Sequence, residues 1–168
     1  MRRFVCVGAA AVLTLGMFTG CAVSPEAGEV DESLDVYDAK QVAQEMENEL
    51  VAFIPEASVV SVEQAEKSGL LGCEGDGVFR WAGHSYVLLV GELDSEPIVD
   101  AVAEEFSRRQ SFTAERDTTD DGVPRVRVRG PGASSYSMAL SVDRTRVEVL
   151  SFSPCFRLAD DLDSRDKY

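Results

Sequence analysis

Imidazole is nearly absent from this chain: His84 is the one histidine among 168 residues. A Ser-His-Asp arrangement could use no other base, and the surrounding WAGHSY offers no acid to orient its ring. No G-x-S-x-G, H-E-x-x-H, phosphate-loop or dinucleotide-binding spacing occurs either, so no motif assigns an activity or asks for a cofactor. Positive charge is scarce as well. Sixteen bases, of which only Lys40, Lys67 and Lys167 are lysine, face thirty acids for a formal net charge of −14. That balance argues against nucleic acid, whose phosphates would repel the chain. Long apolar runs are missing too: Phe4 to Phe18 spans fifteen residues, short of the roughly 20 needed to cross a bilayer.

What is there begins with sorting. Arg2 and Arg3 form a positive head, the short apolar run follows, and the small pair Thr19-Gly20 precedes Cys21. The stretch Phe18-Thr19-Gly20-Cys21 resembles the lipobox of bacterial lipoproteins, with Phe18 where leucine is usual. The resemblance implies that residues 1–20 are an export signal and that Cys21 becomes an acylated N-terminus on the extracytoplasmic face of the cell membrane. Two or three acyl chains, at about 0.8 kcal/mol per buried methylene, anchor a protein where one would not. Loss of Arg2 and Arg3 with the signal takes the formal charge from −14 to −16. Residues 21–33 then read as a tether, with Pro25, Gly28 and four acids but few large apolar side chains.

Of the four cysteines, Cys6 lies in the signal and Cys21 is taken by lipid, which leaves Cys73 and Cys155 as a pair in an oxidising compartment. A disulfide is the expectation. Free buried thiols or half of a metal site are the competing readings, although two cysteines with no nearby histidine cannot close a zinc shell. The turn DTTDDGVP resembles the start of a calcium loop in Asp117, Asp120, Asp121 and Gly122. It lacks an acid or amide at its third position and a glutamate at its twelfth. Asp121-Gly122 is ordinary hairpin chemistry, and no metal is expected.

Residues 34–158 read as a single α+β domain, two helices packed on one face of a mainly antiparallel sheet of about six strands. The first helix is expected near Asp38, where Asp38 and Gln41 have capping-box spacing, with Val42, Met46, Leu50 and Phe53 as its apolar stripe and Pro55 as its stop. A second is expected from Glu96 to Arg109, capped by Ser95, with Ile98, Val102 and Phe106 inward. Ser58 to Glu63 reads as a strand, and VFRWAGHSYVLL as one long strand or a hairpin. Phe112–Arg116, Val123–Arg129, Ser135–Val142 and Arg146–Phe152 alternate polar with apolar residues, which calls for an antiparallel meander with one wet face. Trp81 belongs in the core, and the acidic residues 159–168 read as a solvated, frayed tail.

Arg125, Arg127 and Arg129 must leave one strand on one face, with Arg116 and Arg146 able to join them from other strands. On so acidic a body that row reverses the local sign and suits carboxylate or phosphate groups. Glu115, Asp143 and Glu148 can instead neutralise it across strands. The segments LLGCEGDG, DTTDDGVPRVRV and SFSPCFRL are similar to the small exported lipoproteins of actinobacteria, a resemblance covering about residues 70–158. It implies a paired Cys73 and Cys155 and carries no catalytic residue. Two functional expectations follow. One is a non-catalytic envelope module, anchored by its acyl chains, that binds an envelope protein or an anionic polymer through the arginine face. The alternative is an envelope hydrolase or transferase working through paired Asp or Glu residues in a pocket.

Overall fold

Alternation builds the sheet. In SYSMAL, Tyr136, Met138 and Leu140 are buried while Ser135, Ser137 and Ala139 between them stay half exposed, the period-two pattern of a strand with one covered face. The computed structural model describes residues 30–168; the expected export signal, Cys21 and residues 22–29 of the expected tether lie outside the described residues. Its elements are α1 (Val36–Val51), β1 (Val59–Gln64), β2 (Leu70–Gly72), β3 (Val78–Leu89), α2 (Glu96–Ser107), β4 (Thr113–Thr118), β5 (Pro124–Arg129), β6 (Ser135–Leu140), β7 (Arg146–Phe152) and β8 (Phe156–Arg157). The sheet runs β1-β3-β7-β6-β5-β4, every neighbouring pair antiparallel, and β2 and β8 pair with the first part of β3. The expected α+β architecture is present, with eight strands in place of about six. The four-strand meander β4 to β7 returns to pair with β3.

VFRWAGHSYVLL is one twelve-residue strand. Trp81, Gly83, Ser85 and Val87 alternate toward the helices, and Arg80, His84 and Tyr86 leave on the other face. Gly83 is required by space rather than backbone angle: a Cβ there would stand 1.9 Å from the Trp81 ring and 2.7 Å from the Glu47 carboxylate. Both helices cover this one face, α1 across β3 and β7 and α2 across β4 and β5. Leu50, Val102, Phe106, Val128 and Val149 meet in the larger core, while Val36, Ala39, Trp81, Phe156 and Tyr168 form the smaller one.

Helix α1 is capped three residues before the expected Asp38. Asp35 is its cap, accepting from the Tyr37 and Asp38 backbone N–H groups at 2.7 and 2.9 Å, and Asp38 completes the box by accepting from the Asp35 N–H at 3.5 Å. The buried face is correspondingly rotated. Val36, Ala39, Ala43, Glu47 and Leu50 lie inward, whereas Val42 and Met46 are half-buried, because the two alanines let the helix approach the sheet over Trp81. In α2 the expected inward residues Ile98, Val102 and Phe106 are buried together with Val99. Ser95 makes no side-chain cap; the Asp94 carboxylate accepts the Glu96 N–H instead, at 3.2 Å.

Residues at both ends of the domain depart from the expectation of free chain. The tether ends before residue 31 rather than at 33: the Asp31 N–H donates to the Cys155 carbonyl at 2.7 Å, and Glu32 pairs with Arg157 at 3.1 Å. The frayed tail is corrected as well. Ser68 and Tyr168 exchange backbone hydrogen bonds at 2.9 and 3.0 Å, and the Trp81 indole N–H donates to the Tyr168 carbonyl at 3.0 Å. A buried indole N–H needs an acceptor, and the Tyr168 ring, edge-on to Tyr37, closes the smaller core. Cys73 and Cys155 form a disulfide, with Cα atoms 6.3 Å apart, that ties the loop before β3 to the one before β8. No helix among the described residues is long and apolar enough to cross a membrane.

Candidate functional site

Because both helices lie on one side, the other face of the sheet carries no helix among the described residues. Pairing register sets its layout. Across β5, β6, β7 and β3, Arg125 lines up with Ala139, Glu148 and Tyr86; Arg127 with Ser137, Leu150 and His84; Arg129 with Ser135, Phe152 and Ala82. The three arginines thus leave β5 on one face at about 6.6 Å intervals, with β4 as the edge strand beside them. Val126 and Val128 between them are fully buried under α2.

Asp117 on β4 pairs with two of them. Its carboxylate receives Arg125 at 2.8 Å through both Nε and Nη2, and it also accepts from Arg127. Hydrogen bonds from Arg125 and then Arg127 hold the Asp117 carboxyl well below its ordinary range, at about 2. One carboxylate for two guanidinium groups leaves an excess positive charge. Arg129 is 3.9 Å from Glu115, with both side chains largely exposed, an arrangement worth little in water.

The other expected partners fall elsewhere. Arg116 leaves β4 on the helix side and pairs with Glu96 and Asp100 of α2, since its parity is opposite to that of Asp117. Arg146 is on the open face but is committed to Glu148 at 2.7 Å and to the Tyr86 ring, 4.8 Å away. Asp143 takes no part in the row; it holds the β6–β7 turn by accepting from the Ser141 hydroxyl and from Thr145. Trp81 is core, with Arg80 and Tyr86 on the opposite face. His84 lies against Tyr86 with ring centroids 4.6 Å apart.

Arg80 is a further cation of this face. It reaches across to the Ala133 carbonyl at 3.4 Å and lies 5.9 Å from the centre of the Phe152 ring, with no carboxylate partner among the described residues. Leu150, 41 % exposed, and Phe152 supply apolar surface beside it. Their signal was the polar half of the β6 alternation, which is all small residues and so leaves its neighbours on β5 and β7 standing above it.

In the turn that resembles a calcium loop, Asp117 serves Arg125 and Arg127, and Gly122 turns the β4–β5 hairpin at φ +77°. Among the described residues no group of three or more His, Cys, Asp or Glu side chains could hold a metal ion. The pKa of the Asp143 carboxyl is lowered to about 2 by the Ser141 hydroxyl and then by Thr145, and that of Asp163 to about 2 by Arg165. A hollow of about 500 Å³ lies between the β4–β5 and β6–β7 turns, lined by Asp121, Asp143, Arg146 and Glu148. Comparison with known proteins gives no match: no family model, no curated protein and no solved structure is significantly similar to the chain.

Proposed function

We propose that this chain is a lipoprotein of the cell envelope, held on the outer face of the cell membrane through acyl chains on Cys21, whose domain binds a partner through the uncovered face of its sheet. The observation that carries this reading is the arginine row: Arg125, Arg127 and Arg129 stand in register on a face that no helix among the described residues covers, and two of them share the carboxylate of Asp117. A sheet face that only kept the domain soluble would need no excess of one sign on a body of the other. The disulfide between Cys73 and Cys155 supports an oxidising compartment. The eight residues between Cys21 and Val30 reach at most about 28 Å, so an anchored domain would work close to the membrane surface.

The test is crosslinking of the full chain in its native envelope beside a variant carrying Arg125→Gln, Arg127→Gln and Arg129→Gln. A captured partner lost in the variant supports the recognition face; an unchanged set of captured species overturns it. Cys21→Ser, followed by fractionation, tests the anchor separately. Movement from the membrane to the soluble fraction is expected, and retention in the membrane overturns the acyl attachment.

A further inference from the structure

The uncovered face is not uniform across its middle. Along β6 the side chains are Ser135, Ser137 and Ala139, each flanked by an arginine of β5 on one side. On the other side stand Phe152, Leu150 and Glu148 in the same order. Small residues thus floor a trough with one cationic wall and one wall that is apolar over its first two positions. Along either wall, successive side chains recur at about 6.6 Å.

An extended polypeptide lying in that trough sends alternate side chains to left and right at this same interval. Carboxylates on one side would meet Arg129 and Arg127, and apolar groups on the other would meet Phe152 and Leu150. Charge complements the geometry: Arg127 shares Asp117 with Arg125, Arg129 is loosely paired, and Arg80 beside Phe152 is bound only to a backbone carbonyl. A phosphate polymer would satisfy the arginines but would set phosphates against an apolar wall that gains nothing from them.

We infer that the trough over β6 binds an extended acidic segment of a partner protein, in which Asp or Glu alternates with apolar residues. Glu148 ends the apolar wall, so the third inward position of that segment is polar or basic. This inference rests on the uncovered face being a recognition surface, and it adds what is recognised.

The probe is a fluorescein-labelled peptide of about nine residues, enough at ~3.3 Å per residue to run the length of β6 and its flanks, alternating glutamate with leucine. A second peptide has the same composition in two blocks. Anisotropy is read at low ionic strength with the full chain. Binding of the alternating peptide about tenfold tighter than the block peptide is expected, with a loss of about tenfold in the Arg127→Gln, Arg129→Gln double variant and again in Leu150→Ser. Arg116→Gln, on the helix side of β4, should leave binding unchanged.

Equal binding of the two peptides overturns the inference, as does binding of neither. Displacement by inorganic polyphosphate that Leu150→Ser leaves unaltered also overturns it, in favour of a simple polyanion site. If one of these occurs while the triple arginine variant still loses its crosslinked partner, the recognition face stands and only the alternating acidic segment falls. If crosslinking is unchanged as well, both fall.

Discussion

The Ser85 hydroxyl donates to the Glu47 carboxylate at 2.8 Å, and both residues are completely buried between α1 and the sheet. Ser151 donates to the same carboxylate, and Gln64 does so at 2.8 Å, so three neutral donors from β1, β3 and β7 converge on one acid. Glu47→Ala would strand the Ser85 and Ser151 hydroxyls without this acceptor, while Gln64 keeps the Gln44 carbonyl at 3.0 Å, and would open a void. A loss of about 3 kcal/mol or more is expected in urea unfolding, because unmet buried donors each cost about 1–3 kcal/mol. Glu47→Gln, which puts an N–H group among donors, should cost less but still about 1–3 kcal/mol. Unchanged midpoints in both variants would show that the network is dispensable.

Gly83 should accept no side chain. Alanine would place its methyl 1.9 Å from the Trp81 ring, and the ring has core on every side. Overpacking of this kind costs about 1–3 kcal/mol. The expected result is a lower unfolding midpoint with a changed near-ultraviolet signal from Trp81.

Removal of residues 164–168 takes away the Tyr168 ring and the acceptor of the Trp81 indole. A loss of about 2–4 kcal/mol follows from burying one aromatic side chain and satisfying one polar group. Tryptophan emission should move to longer wavelength, since water then reaches the indole. A frayed tail would leave both quantities unchanged.

The disulfide closes a loop with a sequence separation of 82 residues. Replacing Cys73 and Cys155 together by serine should cost about 2–5 kcal/mol, read as a lower urea midpoint matching that of the reduced wild type. Equal stability of oxidised and reduced protein would contradict it.

Acid should weaken the fold in a defined window. The Asp117, Asp143 and Asp163 carboxyls are lowered from 3.8 to about 2, so the folded state binds protons less readily than the unfolded one. Their contribution is complete above about pH 4 and is lost as the pH falls toward 2. Asp117→Asn should therefore be less stable than wild type at pH 7, and the gap should close by pH 2. A gap independent of pH would remove the role given to its ion pairs.

Much of the architecture could be read from periodicity, and what could not has a physical cause. Strands β5, β6 and β7 follow from alternation and α2 from its stripe, because each buries one continuous face. Strands β2 and β8, of three and two residues, are too short to carry a period; they exist because β3 is longer than its main partners. The start of α1 was misplaced because Asp35 and Asp38 can both cap, and the choice is made by Val36 and Ala39 burying against Trp81. The docking of Tyr168 depends on an indole 87 residues earlier in the chain, which no local pattern reports. At the candidate site the arginine row was legible from spacing alone. Its partner Asp117 and the opposite wall of Leu150 and Phe152 required the strand register.

The bond from Asp31 to Cys155 has a mechanical consequence. A pull arriving through residue 30 enters the domain beside a residue that is covalently crosslinked to Cys73, and Glu32 gives it a second grip on Arg157. Part of the load is therefore shared with the disulfide corner and the loop before β3, a strand that pairs with β7 over seven residue pairs. The β4–β5–β6 half of the sheet, which carries the arginines, lies off that line of force. Drag on the body of the protein would strain its disulfide corner while the trough keeps its shape.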